Sequence, residues 1–371
     1  MELTLCVPCL FGLEGLVAQE LRRLGMEDVA AENGRVYFRG GPEAIATANL
    51  CLRTGERVLL ELGSFPAESF DALFEGTRAL PWERFLPADA AFPVTGYSLN
   101  SKLFSVSDCQ RIIKKAVVER LKKHYGLQWF PETGAAHQIR FSLMKDKVCL
   151  YLDTSGAGLH KRGYRPAHNA APLRETLAAA LVELARYRGK GDFCDPFCGS
   201  GTIPIEAALI ARNLAPGLNR HFAAMDWPLL PAEIWPQARE AARAREFTGS
   251  YSILGSDLDP KAIEIARANA RRAGVEDSLR FEVADAMAFS RDSQRGVIVS
   301  NPPYGERILE KQDAEALYRG FGKALQGCSG WQLYLLSSHT EFERCFGRPA
   351  DKKRKLYNGM IKCDLFMYYK D

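Results

Sequence analysis

Apolar and polar positions alternate in short runs through the first part of the chain. Leu3 to Val7 reads as a strand. Glu14 to Leu24 sets Leu16, Val17, Leu21 and Leu24 at helical spacing, with Gly25 placed to end the helix. Arg35 to Arg39 reads as a strand after an Asn33-Gly34 turn, and Ala44 to Leu52 as a second helix. Short strands and helices in alternation, with no phosphate loop, predict a small α+β module. Phe92 to Tyr97 predicts another strand, and Arg111 to Tyr125 an amphipathic helix. Ile112, Ile113, Ala116, Val117 and Leu121 form its apolar side, with Arg111, Lys114, Lys115 and Lys122 opposite. Arg140 to Asp153 reads as two strands turning at Lys145-Asp146-Lys147.

The pattern changes from His168. Pro172 precedes an Ala/Leu-rich helix over Leu173 to Arg188, which places a domain boundary between Gly156 and Ala170. A strand then ends in Asp195, followed by a glycine turn, Pro196-Phe197-Cys198-Gly199-Ser200-Gly201-Thr202, and a helix over Ile203 to Arg212. Tyr251 to Ser256 predicts a strand ending in Asp257, and Asp259-Pro260 opens a helix from Lys261 to Ala273. Leu279 to Val283 ends in Ala284-Asp285-Ala286, and Gly296 to Ser300 ends in Asn301-Pro302-Pro303-Tyr304. Trp331 to Ser337 and Lys362 to Tyr369 supply later strands. Repeated strand–helix units predict an α/β, doubly wound sheet. Residues 214–250 interrupt it with four prolines, Trp227, Trp235 and a helix from Ala232 to Phe247.

Composition narrows the class. A 371-residue chain with 47% hydrophobic and 25% charged residues can bury two cores. No apolar run reaches the roughly 18 residues of a membrane span, and the start of the sequence lacks a secretory pattern. Cysteines inside apolar runs (Cys149, Cys194, Cys328, Cys363) fit reduced thiols and a cytoplasmic location. Cys6 and Cys9 lack a second pair, so a structural role is expected. Net charge is only +4, but residues 102–123 hold seven Lys/Arg against two Asp/Glu, and Leu159-His160-Lys161-Arg162-Gly163-Tyr164-Arg165 is basic and aromatic. Grouped cations of this kind supply phosphate contacts, or simply a solvated face. The same two readings apply to the Lys/Arg-rich 348–355 stretch, as phosphate grip or solvated loop, and to Arg307.

The acids fall at the C-terminal ends of successive strands, where open α/β sheets bind ligands. A carboxylate at Asp195 suits a cationic group such as the amino group of a methionyl moiety. Gly199 and Gly201 let backbone approach a ligand closely. Pro204 stands where a dinucleotide fingerprint wants its third glycine, which argues against a dehydrogenase. Asp257 can accept ribose hydroxyls, though it follows Gly201 by 56 positions rather than about 20. In Asn301-Pro302-Pro303-Tyr304 the prolines remove backbone donors and fix φ. The Asn301 side-chain oxygen and the Pro302 carbonyl can then accept both N–H bonds of a base amine, and Tyr304 offers a ring to stack on.

The D-x-x-x-G-x-G turn resembles the first motif of class I S-adenosylmethionine-dependent methyltransferases, and Phe92 to Arg165 resembles a THUMP domain. Together they resemble a bacterial family of THUMP-containing enzymes that make N2-methylguanine in large-subunit ribosomal RNA, with related enzymes acting on transfer RNA. The resemblance implies a ferredoxin-like part (1–65), a THUMP part (66–165) and a Rossmann-like methyltransferase domain (166–371). It implies S-adenosylmethionine on Asp195, Cys198, Gly199, Ser200, Gly201, Thr202, Asp257, Asp285, Ala286 and Asn301. Asn301, Pro302, Pro303 and Tyr304 would serve the methyl acceptor. RNA would lie on Arg111, Lys114, Lys115, Lys122, Lys161, Arg162 and Arg165. The alternatives are a transfer-RNA guanine-N2 enzyme, an adenine-N6 methyltransferase of DNA or RNA, and an RNA-binding assembly factor without activity.

Overall fold

The computed structural model describes residues 2–165, 173–304, 311–328 and 330–369. The first half runs β1 (Leu3–Pro8), α1 (Glu14–Arg23), β2 (Glu27–Glu32), β3 (Arg35–Gly40), α2 (Pro42–Cys51), β4 (Leu59–Pro66), α3 (Phe70–Ala79), β5 (Val94–Leu99), α4 (Val106–Tyr125), β6 (Ile139–Met144) and β7 (Lys147–Asp153). These strands form one continuous seven-stranded sheet in the order β2-β3-β1-β4-β7-β6-β5. β4 pairs with β1 on one side and β7 on the other. That junction joins the ferredoxin-like and THUMP-like segments into a single layer. Alternate residues (Leu3, Leu5, Val7 in β1; Leu150, Leu152 in β7) face the helices and make the core.

Helix α4 starts five residues before the expected Arg111. Ser105 caps it by accepting from the Asp108 N–H, and Gly126 at φ +69° ends it. It buries Cys109, Ile113, Ala116, Val117 and Leu121, leaving the basic side outward. The turn between β6 and β7 holds Lys145 and Asp146 at φ +51° and +62°, which the paired strands enforce.

The second half continues with α5 (Glu175–Leu184), β8 (Asp192–Asp195), α6 (Thr202–Ala211), α7 (Ile234–Arg243), β9 (Ser252–Asp257), α8 (Pro260–Ala273), β10 (Arg280–Val283), β11 (Gly296–Ser300), α9 (Lys311–Ala324), β12 (Trp331–Ser337), α10 (Phe342–Phe346), β13 (Lys352–Asn358) and β14 (Ile361–Tyr368). The sheet order is β10-β9-β8-β11-β12-β14-β13, parallel up to β12. Every residue of α6 is buried, as a helix packed on a two-faced parallel sheet requires. The 348–355 stretch, read above as a phosphate grip or solvated loop, is not a loop throughout: from Lys352 it forms edge strand β13. Pro172, His168 and Ala170 lie outside the described residues, as does Arg307. No helix among the described residues is long and apolar enough to cross a membrane.

The insertion after α6 does not pack on the methyltransferase sheet. Phe222, Trp227, Ile234 and Trp235 enter the core of the N-terminal layer. Gly217 donates its N–H to the Leu50 carbonyl at 2.9 Å, and the Trp227 indole donates to the Ala136 carbonyl at 3.0 Å. Phe222 and Trp235 stack at 5.7 Å. A Trp235→Ala change therefore removes core from the opposite half of the chain, at about 3–5 kcal/mol. Urea unfolding followed on the N-terminal layer should show that loss. An unshifted midpoint would mean the insertion is not part of that core.

Candidate active site

Parallel register brings the C-terminal tips of β8, β9, β10 and β11 to one edge of the sheet. After β8 the chain must turn tightly back into α6. Cys198 donates its N–H to the Ser256 carbonyl (2.9 Å), and Gly199 donates to Asp257 Oδ2 (2.9 Å). The turn is thus stitched to the neighbouring strand end. Gly201 sits at φ +81°, where a Cβ would lie 2.7 Å from the Phe281 ring and 2.9 Å from Ala266. Only glycine fits there in both conformation and space. Gly199, at φ +50°, faces open space within 4 Å of its Cβ direction, so its backbone can be approached from outside. Ser200 is fixed from α8 by the Asn269 amide, which donates to its carbonyl (3.0 Å).

Asp195 is 1% exposed. It accepts from Ser300 Oγ at 2.5 Å and from the Phe197 N–H at 3.2 Å. Burial pushes its carboxyl up to about 7, the nearby Asp257 charge adding to the rise and the two hydrogen bonds opposing it. No ion pair reaches it among the described residues. Asp257 is half-buried and accepts from the Asp259 N–H with its second oxygen (3.0 Å). Asp285 caps the short turn over Ala286–Ala288 by accepting from the Met287 N–H (2.8 Å), and Ala286 is buried. The donor set fits S-adenosylmethionine: a buried carboxyl for its amino cation, a strand-tip acid for its ribose, and a third acid at the next strand for its adenine.

The acceptor motif follows Ser300 directly. Asn301 is half-buried and Pro302 buried. Tyr304 is also half-buried and rests against the core around α5 and α6. Its hydroxyl donates to Asn301 Oδ1, and Cys363 Sγ lies 3.7 Å away. The expected open stacking face is therefore turned inward, with the phenol bracing Asn301. Tyr318, from α9 and fully buried, donates its hydroxyl to the Pro303 carbonyl and sits 3.4 Å from Ser337 Oγ. Among the described residues no donor reaches the Pro302 carbonyl. Sequence reading missed Ser300 and Tyr318. Ser300 ends an apolar strand and Tyr318 lies on the apolar side of amphipathic α9, and in neither place does one hydroxyl give much signal.

The basic residues divide. Arg111, Lys114 and Lys115 line a groove of about 590 Å³ with Pro93, Val94, Ser107 and Gln110, between α4 and edge strand β5. Lys114 pairs with Glu132 (2.6 Å) and lies 3.7 Å above the Phe92 ring; Lys122 pairs with Glu119 (3.0 Å). Lys161 is exposed. Arg162 and Arg165 are not surface cations. The Arg162 side chain is 2% exposed, donates to the Leu159 carbonyl (2.7 Å) and the Arg53 carbonyl, and faces Glu206 on α6. Arg165 pairs with Glu175 (2.7 Å) and reaches Thr202 Oγ1 (3.3 Å). Both are internal struts between the halves of the chain, which corrects their assignment to RNA.

Comparison with known proteins follows this layout. Residues 162–366 match the family described as RMKL-like, methyltransferase domain. Residues 4–59 match the RlmL ferredoxin-like domain, and residues 67–153 the THUMP domain. The chain is 46% identical over 369 residues to "Putative RNA methyltransferase YpsC" of Bacillus subtilis, covering 99% of this chain and 96% of that protein. It is 37% identical over 372 residues to "Ribosomal RNA large subunit methyltransferase K/L" of Psychromonas ingrahamii, covering 98% of this chain but 49% of the relative. The chain thus spans about half the length of that relative. A solved structure titled "SMU.472, a putative methyltransferase complexed with SAH" is 41% identical with a TM-score of 0.94, covering 100% of this chain and 98% of the other.

The buried Asp195 carboxyl sets a pH test. A folded-state pKa near 7 against about 4 unfolded makes its ionised form costly, so the protein loses stability as pH rises through that window. Asp195→Asn removes the cost. Above pH 7.5 the variant should exceed wild type by up to about 4 kcal/mol in urea unfolding without ligand, the gap closing by pH 4. A gap that does not change with pH would contradict a buried, titrating carboxyl.

Proposed function

The chain belongs to the RMKL-like methyltransferase family, and from that premise we propose that it methylates the exocyclic amine of an RNA base, N2 of a guanine in large-subunit ribosomal RNA. The observation that carries this reading is the Ser300–Asp195 hydrogen bond. It sets the carboxyl suited to the methyl donor directly beside the strand that delivers Asn301 and Pro302.

S-adenosylmethionine, when bound, supplies an already activated methyl group, so the protein's contribution is chiefly placement. Asp195, the backbone of Cys198 to Thr202, Asp257 and the Asp285-Ala286 turn would hold it. A base amine is a poor nucleophile because its lone pair is shared with the ring. Asn301 Oδ1 keeps a lone pair beyond the one that Tyr304 occupies, and the Pro302 carbonyl lies beside it. Accepting both amine N–H bonds, they draw the nitrogen toward tetrahedral geometry and stabilise the positive charge that grows there. Tyr304 aims Asn301 through its hydroxyl. The target base must be unpaired or turned out of its stack. The groove along α4, with Arg111, Lys114 and Lys115, is where the RNA backbone would be held. Both guanine N2 and adenine N6 fit the two acceptors, and the THUMP domain favours an RNA substrate over DNA.

Asn301→Ala should bind S-adenosylmethionine within about twofold of wild type by isothermal titration, while methyl transfer to RNA falls roughly 100-fold or more. Retained turnover would remove the clamp. Arg111→Glu with Lys115→Glu should weaken RNA binding and reduce its log–log salt slope by about 1.5–2 in a filter-binding titration. An unaltered slope would place the RNA elsewhere.

A further inference from the structure

The basic hairpin at the C-terminal end of the sheet touches Tyr304 from behind with Cys363, but its lysines and its tip play no role in the donor and acceptor placement described above. β14 runs antiparallel to β12, and β13 antiparallel to β14. The end of β13 and its turn, Asn358-Gly359-Met360, therefore emerge at the same edge as Asn301. Contacts place them there directly: Cys363, opposite Leu356 in the hairpin, lies 3.7 Å from the Tyr304 hydroxyl.

At the tip, Met360 is 98% exposed. A lone exposed apolar residue elsewhere would call for no explanation. This one stands at the same sheet edge as Asn301, on a two-stranded element closed by Gly359 at φ +64°. The strand leading to it is strongly cationic. Residues 351–364 contain five Lys/Arg against two Asp. Lys352, Lys353, Lys355 and Lys362 are exposed, while Arg354 is anchored to the Gly12 carbonyl of the N-terminal half. Lysines on an edge strand also guard against pairing with another chain. That accounts for the charge but not for an apolar tip at this edge of the sheet.

We propose that the β13–β14 hairpin engages the target RNA strand, its lysines on the phosphates and Met360 in the gap that the target base leaves when it turns out of its stack. An apolar wedge of this kind offsets the lost stacking, and a methionine side chain adapts to whichever bases flank the gap. The inference rests on the acceptor-site reading above.

The test uses the full-length chain, labelled S-adenosylmethionine and deproteinised total RNA from a strain lacking this protein. That RNA is supplied either folded in Mg²⁺ or hydrolysed to short unpaired fragments. Met360→Ser should lower turnover on folded RNA at least tenfold relative to wild type. On fragments, where no base needs extracting, the two should agree within twofold, with S-adenosylmethionine affinity unchanged by titration. Met360 is exposed, so the variant should melt with the wild type. Equal losses on both RNA forms, or no loss on folded RNA, would overturn the wedge. Lys355→Glu with Lys362→Glu, which lie toward the tip on one face of the hairpin, should raise KM at least fivefold on folded RNA, and an unchanged KM would remove the phosphate grip. Failure of the acceptor-site reading would show separately, as retained turnover in Asn301→Ala on either form.

Discussion

One buried hydrogen bond, from Ser300 to Asp195, ties the two halves of the chemistry together. Asp195 ends β8 and opens the glycine turn; Ser300 ends β11 and precedes Asn301. Moving either strand tip would separate the donor cradle from the amine clamp. The bond also holds a carboxyl in a place that penalises its ionised form. On the proposed reading, a cationic ligand group arriving at the sheet edge would relieve that penalty. The glycine turn then follows from Asp257, and the clamp from Tyr318 and Tyr304.

The same logic of fixed placement runs between the two halves. The insertion after α6 builds its tryptophans into the N-terminal core, and Arg162 is sealed between Arg53 and Glu206. Arg165 reaches from the junction to Thr202 at the start of α6. Buried charges of this kind stabilise little in themselves, but breaking one leaves an uncompensated partner. Their consequence is orientation: the groove along α4 and the glycine turn are held on one frame. On the proposed reading, RNA held by one would be presented to the other.

Much of this was legible in the sequence because its signals are local. Acids at the tips of apolar runs, two prolines after an asparagine, and the period of α4 each declare themselves within a few residues. What stayed hidden depends on distant partners. Arg162 reads as a solvated cation until Glu206, 44 positions away, is brought against it. β13 escaped because Leu356 is its only buried position, so no alternation marks it. β2 escaped for the same reason, with no buried position along EDVAAE. The inward turn of Tyr304 is not legible locally, because it depends on Cys363, 59 positions away in the hairpin. The insertion looked like an interruption, and only the three-dimensional packing of Trp227 and Trp235 reveals it as a joint.

Nucleoside mapping by mass spectrometry is the most direct test of the central claim. Ribosomal and transfer RNA from a strain lacking the protein would be compared with the same RNA after incubation with the purified chain and S-adenosylmethionine. The account predicts one N2-methylguanosine in large-subunit ribosomal RNA, absent from the deletion strain and restored by the enzyme. Restoration of N6-methyladenosine, of a methyl group confined to transfer RNA, or of no modification at all would contradict it.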